Sequence, residues 1–105
     1  MIIDHRTYTL KPGTLNLYVK AYVEEGHAIQ IAHLSKPLGW YTCHDIGPLN
    51  QIVHLWQYED LADRERRRAA MMADPAWLTY LAKVVPYMDQ QETKILRAPP
   101  GVQMK

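Results

Sequence analysis

The sequence predicts one two-layer α+β domain. Three observations predict it: a chain of 105 residues, ordinary globular composition, and apolar periodicity that switches between two and three-to-four along the chain. A length of 105 residues is about one domain's worth and leaves no room for a second. Apolar residues make up 48% and charged residues 22%, which supports collapse and argues against wholesale disorder. A chain of this size buries only about two-thirds of its unfolded surface, so further burial in an oligomer adds stability.

Residues 2–10 (IIDHRTYTL) are β-branched and aromatic and read as a strand, which Lys11-Pro12-Gly13 breaks. Thr14 is the expected N-cap of a helix reaching about Leu34, because Leu15, Tyr18, Val19, Tyr22, Ile29 and Ala32 recur at helical steps. Gly26 inside it costs about 1 kcal/mol relative to Ala, so a bend or break is expected there. Lys36-Pro37 punctuates the chain, and residues 38–46 form a second strand. The turn Gly47-Pro48-Leu49-Asn50 leads to a third over 51–58. Glu59-Asp60 opens a helix with Asp60 as cap and Asp63 completing a weak capping box. Asp74-Pro75 restarts it as an N-cap and first-turn proline, with Trp77, Leu81 and Val84 on one stripe ending at Pro86. Residues 88–97 make a fourth strand, and 98–105 a tail expected to fray.

The order β-α-β-β-α-β, with its second helix in two pieces, is the ferredoxin-like split-βαβ arrangement. Strands one and three are expected to lie side by side, parallel. The hairpin is expected to pair Ile46 with Gln51, setting Cys43 opposite His54 and His44 opposite Val53. Strand three is apolar on both faces, with Ile52, Trp56 and Tyr58 on one and Val53 and Leu55 on the other. A sheet with one face in water carries a polar row there, so a second copy of the chain is expected to cover it. The partner predicted is the protein itself, as a homodimer.

Lys and Arg number 12 and Asp and Glu 11, so the net charge is 12 − 11 = +1, against a dedicated nucleic-acid binder. Cys43 stands alone and forms no internal disulfide. The first residues are charged almost at once, and the longest plain apolar run, 69–73, is far below the roughly 20 residues of a membrane helix. A cytoplasmic location without membrane contact is expected. No phosphate loop, nucleophile elbow or carboxylate pair occurs. His27 and His33 lie about 240° apart around their helix and cannot share a metal from one face, and one Cys with scattered His gives no zinc spacing; neither a metal nor a cofactor is expected.

Candidate chemistry begins with Arg6 and Tyr8, two apart on strand one and so on one side of the sheet. A guanidinium and a phenol there suit a carboxylate or enolate, although both residue types also serve structure. His54 and Trp56 share a face of strand three, and His54 is a weak candidate for general base. Residues 59–68 hold four acidic and four basic side chains, an arrangement that suits a solvated helix face. Aromatic residues comprise three Trp, seven Tyr and no Phe, so every ring carries a polar handle suited to a pocket or an interface. Trp56, Trp77 and Tyr80 are the expected pocket lining.

Arg6-Thr7-Tyr8-Thr9-Leu10-Lys11-Pro12-Gly13 resembles the opening of the NIPSNAP family. Gly39-Trp40, Ile46-Gly47-Pro48-Leu49-Asn50, His54-Leu55-Trp56-Gln57-Tyr58, Arg64 with Arg67-Arg68, and Asp74-Pro75-Ala76-Trp77 continue the pattern in order over residues 2–99. The resemblance implies a dimeric α+β barrel, two ferredoxin-like sheets packed face to face, and adds Arg64 to the candidate ligand-binding residues. It implies no particular reaction. The wider superfamily includes cofactor-independent monooxygenases, haem-degrading enzymes and small isomerases, an analogy of fold alone. The expected function is therefore binding of a small apolar or aromatic anion between sheet and helices. A non-enzymatic interaction module is the alternative. Superfamily-type monooxygenase or isomerase chemistry follows, and RNA binding ranks last because no RNP-like strand occurs.

Overall fold

In the computed structural model, which describes residues 1–102, the β-branched and aromatic opening run forms β1 (Ile2–Leu10). The expected fraying of 98–105 falls partly on 103–105, outside the described residues. The first helix is α1 (Leu15–Ala21) and α2 (His27–Leu34), joined by a π-helical turn over Tyr22–Gly26. The bend predicted at Gly26 thus takes the form of one widened turn. A close approach goes with it: a Cβ on Gly26 would lie 2.6 Å from the Tyr80 ring, so only glycine lets the turn pack against that ring. Thr14 sits at the N-terminus as expected, but its hydroxyl donates backwards to the Lys11 carbonyl (2.6 Å) and caps nothing.

Strands β2 (Gly39–Cys43) and β3 (Gln51–Tyr58) follow, then α3 (Leu61–Met72), α4 (Pro75–Val84), a short 3₁₀ turn and β4 (Met88–Leu96). Asp60 caps α3 by accepting from the Asp63 amide (2.7 Å), while Asp63 accepts from the Glu59 amide (3.0 Å). Asp74 caps α4 through the Ala76 amide (2.9 Å). Its other carboxylate oxygen meets His33 at 2.8 Å, tying the end of α2 to the start of α4.

The sheet order is β2-β3-β1-β4 and every pairing is antiparallel. This is the ferredoxin-like α+β fold, with two corrections. First, β1 and β3 are neighbours but antiparallel, not parallel. The β2–β3 hairpin reverses the chain, so β3 inserts between β1 and β2 and runs against both. Second, Gln51 faces Cys43, three residues short of the expected Ile46, and His54 faces Trp40. Gly47 and Asn50 take positive φ (97° and 62°) and Pro48 has no amide to donate, so the connection is a wide loop. An odd register shift exchanges faces. It puts Trp40, in place of Cys43, beside His54.

Alternate residues of the central strands face the helices: Asp4, Arg6 and Tyr8 from β1, and Ile52, His54, Trp56 and Tyr58 from β3. The latter four are buried, and with Leu34, Met71, Tyr80 and Val84 they form the centre of the core. The opposite sheet face carries Ile3, His5, Thr7, Val53 and Leu55, with the Tyr41 ring folded back over Gly39. No helix of the described chain is long and apolar enough to cross a membrane.

Candidate functional site

On β1, strand alternation lines up Asp4, Arg6 and Tyr8 beneath the helices. Asp4 is fully buried. One of its oxygens accepts from the Thr93 hydroxyl on β4, and the other from Arg64 Nε of α3 (2.9 Å) and Arg6 Nη1 (3.4 Å). Burial raises the Asp4 carboxyl, but the Thr93 and Arg64 hydrogen bonds and the Arg6 charge outweigh it and hold it below the usual carboxylate range. Arg6 is held in turn: its Nε donates to the Tyr8 hydroxyl oxygen (3.2 Å), and its guanidinium carbon lies 5.7 Å from the Tyr8 ring centre. Burial disfavours its charge, yet the Tyr8 oxygen and the Asp4 carboxylate prevail and raise its pKa.

Between this face and helices α3 and α4 lies a cleft of about 190 Å³. Its polar end is Arg6, Tyr8, Arg68, Gln30 and Gln91, and its apolar walls are Met71, Met72, Trp77, Leu81, Val85 and Met88. No carboxylate is among them. Two larger depressions, of about 280 and 600 Å³, are shallower and have no aromatic wall. The Gln30 carbonyl already accepts from the Tyr22 hydroxyl (2.7 Å), leaving its amide hydrogens as donors. The indole Nε1–H of Trp77 is buried without a partner.

Arg68 is the residue the sequence reading passed over. It stood in a charge run read as a solvated face, yet Arg64, Arg68 and buried Met71 lie on one stripe of α3 at steps of four and three. That spacing was the available signal. Burial, and then the Arg6 charge, push the Arg68 guanidinium below its ordinary pKa. Asp63, by contrast, is buried and binds Arg66 (3.0 Å) and Arg67 (2.9 Å). Asp4 was also missed, hidden as one acidic residue in an apolar strand.

The structure brings Tyr8 and His54 together, their ring centres 4.8 Å apart and edge to face. His54 Nδ1 accepts from Trp56 Nε1 (2.6 Å), and since indole nitrogen only donates, the imidazole proton sits on Nε2. Nε2 is buried without a partner. Burial, followed by the Arg6 charge, lowers the His54 pKa to about 3, so the ring is neutral near pH 7 with its one lone pair in use. Nothing remains on it to take a proton from a molecule in the cleft. Trp56 and Tyr80 are buried in the core behind the cleft and are not part of its wall, whereas Trp77 is. Arg64 reaches the site through Asp4.

The family model described as NIPSNAP matches residues 3–100. A NipSnap homologue of Dictyostelium discoideum is 36% identical over 91 residues, 87% of this chain and 40% of its own length. Human NipSnap homologue 3A is 29% identical over 93 residues, covering 88% of this chain and 37% of its own length. The chain thus spans about two-fifths of the length of these curated relatives. Among solved structures, a NIPSNAP family protein of unknown function from Agrobacterium tumefaciens superposes with a TM-score of 0.90 at 40% identity, covering 97% of this chain and 91% of its own. An antibiotic biosynthesis monooxygenase-like protein from Nitrosomonas europaea, 16% identical and covering 93% of this chain and 98% of its own, reaches a TM-score of 0.67, a likeness of fold alone. With the matched model covering almost every residue of the sheet and helices just described, this chain belongs to the NIPSNAP family.

Proposed function

We propose that this domain binds a small molecule with an apolar or aromatic body and an anionic group, in the cleft between the sheet and helices α3 and α4. One observation carries the reading: a cleft whose polar end holds Arg6 and Arg68 and whose lining contains no carboxylate. A neutral ligand would leave the Arg68 charge unanswered in a half-dry site, and a cation would add to it. At about 190 Å³ the cleft is below the roughly 300–1,000 Å³ of drug-sized pockets, so the occupant is of metabolite size. Arg6 and Tyr8 form one fixed donor pair, and Trp77 supplies an apolar wall. We further propose that the domain acts as a homodimer through its open sheet faces, in the cytoplasm, where the single free Cys43 stays reduced.

Native mass spectrometry of gently purified protein, with released small molecules identified after denaturation, tests the reading directly. The expected result is a dimer carrying a stoichiometric organic anion. An empty dimer that takes up none of a set of aromatic and aliphatic carboxylates overturns the ligand-binding reading and leaves a protein-interaction module in its place.

A further inference from the structure

We propose that Arg68 is the counter-charge for the cleft's ligand, and that this ligand is a single-headed organic acid. The inference rests on the binding reading above and deepens it to a residue and a ligand class.

Three arginines, Arg6, Arg64 and Arg68, converge on the helix-covered side of the sheet, where Asp4 answers the first two and the other buried carboxylate, Asp63, is taken by Arg66 and Arg67. The oxygens of Asp4 are taken: Thr93 occupies one, and Arg64 and Arg6 share the other. Arg6 also gives its Nε to Tyr8. Its geometry is therefore set by the protein, and its charge is already answered. Arg68 differs on both counts. It is half-buried, it lines the cleft, and among the described residues it has no carboxylate partner. Its polar neighbour on β3 is the buried Tyr58 hydroxyl, a neutral group that leaves the guanidinium charge unanswered. Guanidinium donors without a carboxylate partner in the lining of an otherwise apolar cleft match a carboxylate or similar planar anion.

The far end of the cleft fixes the rest of the ligand. Met71, Met72, Leu81, Val85 and Met88 offer no charge and no hydrogen-bond donor, and the Trp77 indole N–H beside them is a single neutral donor. A second anionic group there would lose its water for one neutral donor and no counter-charge. One charged head on an apolar body is what these walls accept.

The test is calorimetric titration of the folded chain with octanoate, octan-1-ol and suberate, the matched eight-carbon acid, alcohol and diacid, and with 2-naphthoate as an aromatic acid. Wild-type protein is expected to bind octanoate at least about tenfold more tightly than octan-1-ol or suberate. Arg68→Gln is expected to bring octanoate down to the alcohol's affinity and leave the alcohol unchanged, with Arg68→Lys restoring most of the difference. Because Arg68 is unpaired, the Gln variant is also expected to unfold at the same or a higher urea concentration than wild type, which separates lost binding from lost folding. Unchanged octanoate affinity in Arg68→Gln overturns Arg68 as the counter-charge. Suberate binding as tightly as octanoate overturns the single-headed class. Octan-1-ol matching octanoate in wild type overturns anion selection while the cleft reading stands. Failure of all four probes to bind overturns the cleft reading itself.

Discussion

Asp4 is the residue on which the cationic end of the cleft depends, because it alone answers two of the three inward-facing arginines. Replacing it with Asn keeps the shape and removes the charge. Two guanidinium groups then remain in a half-dry site without a counter-ion, a loss on the order of 3 kcal/mol, to be read from urea midpoints at pH 7. The pH dependence follows from its depressed carboxyl. A folded pKa below the unfolded value of about 3.9 means stability that is present above pH 4 and lost as the pH falls through the folded pKa. The Asn variant is expected to lose that acid limb. His54 acts in the same direction over a different window. Its folded pKa of about 3 lies below the ordinary value near 6.5, so between these the unfolded chain holds the extra proton and stability rises with pH. His54→Asn retains an acceptor for Trp56 and is expected to flatten the decline in melting temperature between pH 6.5 and 4, a slope worth at most about 1.4 kcal/mol per pH unit for one proton. A variant as acid-sensitive as wild type would show that His54 is not held neutral by the fold.

Among the elements, Gly26 gives the sharpest test because two physical arguments oppose each other. Helix propensity says that Gly26→Ala gains about 1 kcal/mol. Packing says that its Cβ meets the Tyr80 ring at 2.6 Å, and Tyr80 is only 1% exposed, so the ring has nowhere to go. Packing is expected to win, with a net loss of about 1–3 kcal/mol in denaturant unfolding. A stabilised Ala variant would mean that the π turn relaxes to an α turn without cost. The same contrast explains what the sequence made legible. The limits of β3 follow from a β-branched and aromatic run between flanking turns, and the start of α4 from Asp74-Pro75, because these are local signals. The end of β2 depends on how Gly47, Pro48 and Asn50 fold as one loop, and a three-residue error there moved Trp40 to the face where Cys43 was expected. Arg6 and Tyr8 could be paired from strand parity alone. Asp4 and Arg68 could not, since their roles arise only when β1, β4 and α3 meet.

At the scale of the molecule, the sheet has one face built and one face bare. Helices cover Asp4, Arg6, Tyr8, His54 and Trp56, while Thr7, Val53, Leu55 and Tyr41 look the other way. Toward β4 the open face turns polar, with Glu92 and Lys94 paired at 3.4 Å, so the apolar strip is confined to the β2, β3 and β1 side. In the proposed homodimer a second copy covers that strip. Sedimentation equilibrium at micromolar concentration is expected to give a dimer, and Val53→Lys or Leu55→Glu a folded monomer or a markedly weakened dimer. A wild-type monomer at those concentrations would leave the bare face unexplained by self-association. Because Arg6 and Tyr8 alternate with His5 and Thr7 along one strand, the cleft and the proposed interface lie on opposite sides of β1. Neither Val53 nor Leu55 lines the cleft, so a folded monomeric variant is expected to keep its octanoate affinity within about twofold of wild type. Loss of binding together with dimerisation would instead mean that the partner copy helps to shape the cleft through β1.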